Sequence, residues 1–190
     1  GSDRPVMLFI NDYNTEQSGK QGRYFDLVGR MLAADTPLDG VGHQFHVNLA
    51  MPTSALEAAI EKFQGLGLTQ VVTELDVVVG TAGEAALVDQ GHYYREAFDI
   101  FREHADHLEA VTVWGLTDGR SWRSSDNGQP LLFNDDLIAK PAYYGAVNSS
   151  ELPAPIRSTN VFAADVTSAT AGPDALEWRK LPRHTVDSTH

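Results

Sequence analysis

Residues 71–77 read Val71-Val72-Thr73-Glu74-Leu75-Asp76-Val77, and the apolar run continues through Val78 and Val79. A stretch this rich in β-branched side chains reads as a strand. With so few polar interruptions, it reads as a strand covered on both faces, as in parallel sheets. An ionised Glu in such a strand is costly unless it is paired or hydrogen-bonded. Side chains alternate with period two, so Glu74 and Asp76 are expected on the same side. That puts two carboxylates at one end of a sheet, although a strand end reaching solvent would expose them in the same way.

Working outward, strand and helix patterns alternate. Upstream, Val6 to Ile10 reads as a buried apolar strand that ends in the polar cluster Asn11-Asp12-Tyr13-Asn14. A helix follows, with Tyr24, Leu27, Val28, Met31 and Leu32 at helical spacing. Pro37 and Asp39-Gly40 break it, and Val41 to Val47 reads as the next strand. Thr53 or Ser54 is expected to cap a helix from Ala55 to about Leu66, with Leu56, Ile60 and Phe63 on one face and Gly65 and Gly67 closing it. Downstream of the carboxylate strand, a helix is expected from Glu84 to Ala105, with Tyr94, Phe98 and Phe101 inward. Val111 to Leu116 follows as a strand, then a long loop from Thr117 to Phe133. A short last helix begins at Pro141-Ala142-Tyr143-Tyr144, with proline in its first turn.

Strands alternating with helices imply an α/β protein with a parallel sheet and right-handed crossovers. A doubly wound sheet is the generic form. The polar residues favour a (β/α)8 barrel type instead. Asn11, His46, Glu74 and Trp114 all fall near the C-terminal ends of their strands, where barrel enzymes build their sites. Four βα units make half of the usual eight, so residues 1–147 are expected to form a half barrel. Residues 148–190, rich in Ser, Thr, Pro and Ala, read as an irregular linker or tail, with a β-like segment around Trp178 to Val186.

The 190 residues carry a formal net charge of −12. Such a surface repels nucleic-acid phosphates and anionic membranes, so neither is an expected partner, whereas a neutral polymer meets no such penalty. There is no cysteine, which rules out disulfides and thiolate metal sites. No apolar run approaches the roughly 20 residues that span a bilayer. Gly1-Ser2 reads as a cleavage scar rather than a native start, so the native N-terminus is expected to lie upstream, and the residues after it are not expected to form a signal peptide. No phosphate-binding glycine loop or zinc-ligand spacing occurs, so neither cofactor nor metal is expected. His104 and His107 lie near the end of the third helix, where the helix dipole is the plain explanation.

Several side chains could carry chemistry. Gln44 and His46 are two apart in Gly42-His43-Gln44-Phe45-His46, and a His beside a carboxylate can orient it. Asn11 and Tyr13 offer amide and phenol groups suited to sugar hydroxyls. Trp114 and Trp122 could stack on sugar rings, though a strand Trp is more often core.

The ordered motifs NDYN, GxQxH, TELDV, VWGLTDxxSW and KPAYY resemble the C-terminal half of glycoside hydrolase family 10, the endo-β-1,4-xylanases, over residues 6–147. The resemblance implies a secreted, retaining xylanase acting on xylan or xylo-oligosaccharide. It implies Glu74 as nucleophile, with His46 and Asp76 in a supporting network. Gln44, Trp114 and Trp122 would lie at the glycone subsites, with Asn11 and Tyr13 toward the aglycone. The family's acid/base Glu sits in an Asn-Glu pair on an earlier strand, and the chain contains no such pair. The resemblance also sets His43 where an apolar residue is more usual. The chain is therefore expected to supply the nucleophile half and to be inactive until completed. Its complement would be an N-terminal half barrel, or a second copy whose last strand brings Trp114 or Asp118 toward Glu74. A non-catalytic carbohydrate-binding or structural half barrel is the alternative.

Overall fold

A computed structural model of the chain describes residues 6–81, 83–125 and 128–156. The expected β-like segment at Trp178–Val186 lies outside the described residues. The elements alternate as β1 (Phe9–Asp12), α1 (Ser18–Ala33), β2 (Gly40–His43), β3 (His46–Asn48), α2 (Thr53–Gln64), β4 (Thr69–Val78), α3 (Glu84–Glu103), β5 (Leu108–Val113) and α4 (Pro141–Val147). No described helix is long and apolar enough to cross a membrane.

Among the described residues, all pairs between these strands are parallel. β1 lies beside β2 from Phe9↔Gly40 to Asp12↔His43, and β2 lies beside β4 from Gly40↔Thr69 to His43↔Val72. β3 pairs β4 further along, from His46↔Asp76 to Asn48↔Val78, so β2 and β3 share one strand position. β5 pairs β4, beginning at Gln70↔Leu108. Four strand positions thus follow one another in chain order without reversal. A doubly wound sheet would reverse at a switch point. The uninterrupted order is an arc of a partial (β/α) barrel.

The helices cover one face of this arc. Leu56, Ala59 and Ile60 of α2, Tyr94, Ala97 and Phe101 of α3, and Ala142 and Ala146 of α4 pack on Val47, Val72, Leu75 and Val77. A second cluster joins Tyr24 and Val28 of α1 to Val41 and Phe63. The helical faces read from spacing therefore hold, except that Leu27 is exposed.

Four expectations about elements need correction. Val6 to Phe9 is exposed rather than buried, because β1 is an edge strand in this arc; Val6 is 82% exposed. The strand expected at Val41–Val47 is split, since Phe45 adopts a left-handed φ of 56°. That turn sends the Phe45 ring into the helix-side core and leaves Gln44 and His46 half-buried. The last strand lies three residues earlier than expected, because its pairing starts at Leu108 and Gly115, at a φ of 138°, turns the chain away just after Trp114. Finally, α2 starts at Thr53 itself, preceded by Pro52, with no side-chain cap.

Candidate active site

The carboxylate strand is irregular where it matters. Between His43↔Val72 and His46↔Asp76, the β2–β3 side advances three residues while β4 advances four. Against β5, β4 advances three residues, Val72 to Leu75, while β5 advances two, Val111 to Val113. Between Val72 and Leu75, β4 therefore carries one surplus residue relative to both neighbours, a β-bulge at Thr73–Glu74, while β5 carries one of its own lower down, between Leu108 and Ala110. Val72 and Leu75 both pack in the helix-side core, and the two residues between them share the opposite side. Thr73 Oγ1 donates to Asn11 Oδ1 at 2.9 Å, and Asn11 Nδ2 donates to Glu74 Oε1 at 3.0 Å. Gly42 makes room for this link, because a Cβ there would stand 2.6 Å from Asn11 Oδ1 and 3.0 Å from Thr73 Cγ2.

The other oxygen, Glu74 Oε2, lies 3.2 Å from His46 Nε2, and His46 Nδ1 lies 2.8 Å from Asp76 Oδ2. Both ring nitrogens face carboxylates, and only the imidazolium donates to both. Burial pulls the His46 pKa down, but the hydrogen bonds and charges of Asp76 and Glu74 outweigh it and hold it above its ordinary value. Asp76 is fully buried and satisfied on both oxygens. Trp122 Nε1 donates to Oδ2 at 3.1 Å and Arg123 Nη1 to Oδ1 at 2.6 Å. Asp76 thus stands behind the site.

Tyr13, Asn14, Gln44, His46, Glu74, Trp114, Trp122 and Arg123 line a cleft of about 560 Å³. Trp114 is 46% exposed and Trp122 is 65% exposed, so neither is a core residue. The structure therefore gathers Tyr13, Gln44, His46, Glu74, Trp114 and Trp122 around one opening, with Asn11 bonded to Glu74 and Asp76 behind His46. Sequence reasoning missed Arg123. The available signal was a cation directly after Trp122 in a chain whose central strand carries two carboxylates.

The loop bearing Trp122 and Arg123 is held by a buried clamp. Lys140 Nζ bonds Asp118 Oδ2 at 2.8 Å and also donates to the carbonyls of Gln129 (2.7 Å) and Leu131 (2.8 Å). Burial depresses the Lys140 pKa although Asp118 opposes it. Asp118, expected as a group that a second copy would bring toward Glu74, is committed to this clamp and also accepts from the Leu131 amide at 2.9 Å. His43 is fully buried beneath the site, with Nδ1 2.8 Å from Thr15 Oγ1 and Nε2 3.0 Å from Gln70 Oε1. Burial lowers its pKa to about 4, so it sits in the core as a neutral, hydrogen-bonded ring.

Comparison with known proteins bears on this arrangement. The family model for glycosyl hydrolase family 10 matches residues 2–149. The chain belongs to glycosyl hydrolase family 10. Among family 10 relatives, the endo-1,4-beta-xylanase A of Thermoanaerobacterium saccharolyticum is 37% identical over 168 residues, covering 87% of the chain and 14% of its own length. The thermostable celloxylanase of Thermoclostridium stercorarium is 35% identical over 167 residues, covering 80% of the chain and 43% of its own length. A crystal structure of an intracellular xylanase from T. saccharolyticum with xylotetraose superposes with a TM-score of 0.71 at 38% identity, over 75% of the chain and 44% of that protein. Xylanase B from Clostridium stercorarium F9 gives a TM-score of 0.72 at 35% identity, over 78% of the chain and 48% of that protein. The chain thus spans less than half the length of these family 10 proteins. Membership also does not carry the expected secretion with it, since one of these relatives is intracellular.

Proposed function

We propose that the chain supplies the nucleophile half of a retaining endo-1,4-β-xylanase. The observation that carries this reading is the setting of Glu74. Its carboxylate faces the cleft from the bulge of β4, bonded on one oxygen by Asn11 and on the other by His46, with Trp114 and Trp122 among the lining residues. In such a reaction Glu74 attacks the anomeric carbon, the glycosidic C–O bond breaks, and a second carboxyl about 5–5.5 Å away protonates the leaving oxygen. Glu74 is the only carboxylate lining the cleft among the described residues, and Asp76 lies behind it rather than across it. The acid/base group is therefore assigned to a complementary N-terminal half barrel. His46 and Asp76 hold the nucleophile in place. Asn11, Tyr13, Gln44, Trp114 and Trp122 bind the sugar chain, a xylan or xylo-oligosaccharide.

The chain alone is expected to hydrolyse xylan slowly, because loss of general acid catalysis costs roughly 10²–10⁴-fold. Joined to a complementary half, it is expected to release reducing ends from xylan, and Glu74→Ala should abolish that release. Undiminished release by the Ala variant would overturn the assignment. The exposure of the two tryptophans favours one second reading, a sugar-binding platform without turnover. Binding of xylan by the completed protein with no reducing ends formed would select it.

A further inference from the structure

Away from the cleft, three side chains with metal-ligating atoms meet where α2 and α3 end. Glu57 and Glu61 stand at i and i+4 on α2, neighbours on one face of that helix. His104 closes α3, and its ring reaches across to them. A carboxylate oxygen of Glu57, one of Glu61 and a ring nitrogen of His104 all lie within 4.8 Å of one another. His104 Nε2 is 3.5 Å from Glu57 Oε1, and the His104 side chain is 15% exposed. The ring is held from its other side, where Nδ1 lies 2.7 Å from the side-chain amide of Gln64. Its backbone is fixed as well, since the His104 carbonyl accepts from the amides of His107 and Leu108.

Without a cation this placement is unfavourable. Like charges at i and i+4 repel each other, and the carbonyl ends of the two helices add partial negative charge nearby. Among the described residues, neither carboxylate pairs with a lysine or arginine, and Glu57 has only His104. The donor set selects the cation. One imidazole with two carboxylates suits zinc and similar divalent ions, whereas calcium and magnesium prefer oxygen alone. Bonds of about 2.0–2.2 Å hold ligand atoms roughly 3.5 Å apart, so the donors must close by about an ångström. Glu61 is exposed, and rotation of its side chain supplies that movement. When Gln64 turns its amide oxygen to Nδ1–H, Nε2 keeps its lone pair for the metal. Spacing along the chain does not announce the cluster, because its donors come from separate helices.

We propose that Glu57, Glu61 and His104 form a site for zinc or a similar divalent cation, which ties the end of α2 to the end of α3, with Gln64 orienting the imidazole. Both helices pack on β4, so the tie braces the layer behind the strand that carries Glu74. It stands whether or not Glu74 is the nucleophile.

The test is a calorimetric titration of the chelator-treated full chain with zinc chloride. The native chain should bind one zinc with micromolar affinity. Glu61→Gln and His104→Asn should each weaken binding by roughly tenfold or more, a loss that even an outer partner of a metal site can cause. His46→Asn should leave uptake intact, which separates this site from the other imidazole flanked by carboxylates. Zinc at about 100 times its dissociation constant should lower the native unfolding constant roughly 100-fold. Native-like zinc affinity in either Glu61→Gln or His104→Asn would overturn the proposal. So would loss of uptake in His46→Asn, calcium binding as tight as zinc binding, or no saturable uptake below millimolar zinc. Should His104→Asn fail to fold, the exposed Glu61→Gln decides: weakened zinc binding supports the site and native binding removes it.

Discussion

Two histidines three residues apart respond to pH in opposite senses, and the difference comes from their partners. His46 is held above its ordinary pKa by Asp76 and Glu74, so its contribution to stability is complete below about pH 6.5 and is lost as pH rises through its folded value. His43 is depressed to about 4 by burial. The unfolded chain binds that proton more readily, so the His43 contribution is complete above about pH 6.5 and is lost as pH falls toward 4. A drop from 6.5 to about 4 corresponds to about 3 kcal/mol. His43→Leu should therefore flatten the loss of stability between pH 7 and 4.5, measured by urea unfolding at both values. An unchanged difference would assign the acid sensitivity elsewhere. Residue chemistry was unevenly legible. Glu74 stood out because a carboxylate in an apolar strand needs a reason. His43 did not, because its partners Thr15 and Gln70 come from two distant segments.

At the scale of elements, Lys140, the residue preceding α4, ties Asp118 to the carbonyls of Gln129 and Leu131. Lys140→Met would strand the Asp118 carboxylate inside the protein. Breaking a buried pair on one side typically costs about 3–5 kcal/mol. The double variant Lys140→Met/Asp118→Leu should recover part of that loss, the remainder reflecting the Leu131 amide left without its acceptor. Denaturant midpoints of the two variants check this, and equal midpoints would mean that the pair adds no coupling. Helices were readable from spacing, since Leu56, Ile60, Phe63, Tyr94 and Phe101 are buried as their positions suggest. Strand limits were not. The surplus residue in β4 and the left-handed Phe45 are set by pairing between strands, and neither Thr73-Glu74 nor Gln44-Phe45 carries a local turn residue that would announce it.

At the scale of the molecule, the arc ends in two open strands. Phe9 of β1 and the preceding Val6, Met7 and Leu8 are exposed, and among the described residues β1 and β5 are each paired on one side only. Unpaired backbone beside apolar side chains is a template for another strand. The isolated chain is expected to self-associate at micromolar concentration, and a complementary half barrel should convert it to a one-to-one complex. Sedimentation velocity reads both outcomes. A monomer that persists alone, with a native-like near-UV spectrum, would show that the arc needs no partner. The barrel type was legible because polar residues clustered at one end of successive strands, whereas the exposure of β1 depends on neighbours that no local pattern reveals.

The surplus residue in β4 has a geometric corollary. A bulge bends and coils the strand that contains it, and strands must tilt and bend to join into a closed ring. Below Thr73 the strand runs in step with β2; above it the strand runs in step with β3, one residue later. The seam that turns Glu74 toward the opening thus also lends the open arc some of the curl of a finished cylinder. Straightening it would alter the site and the closure together.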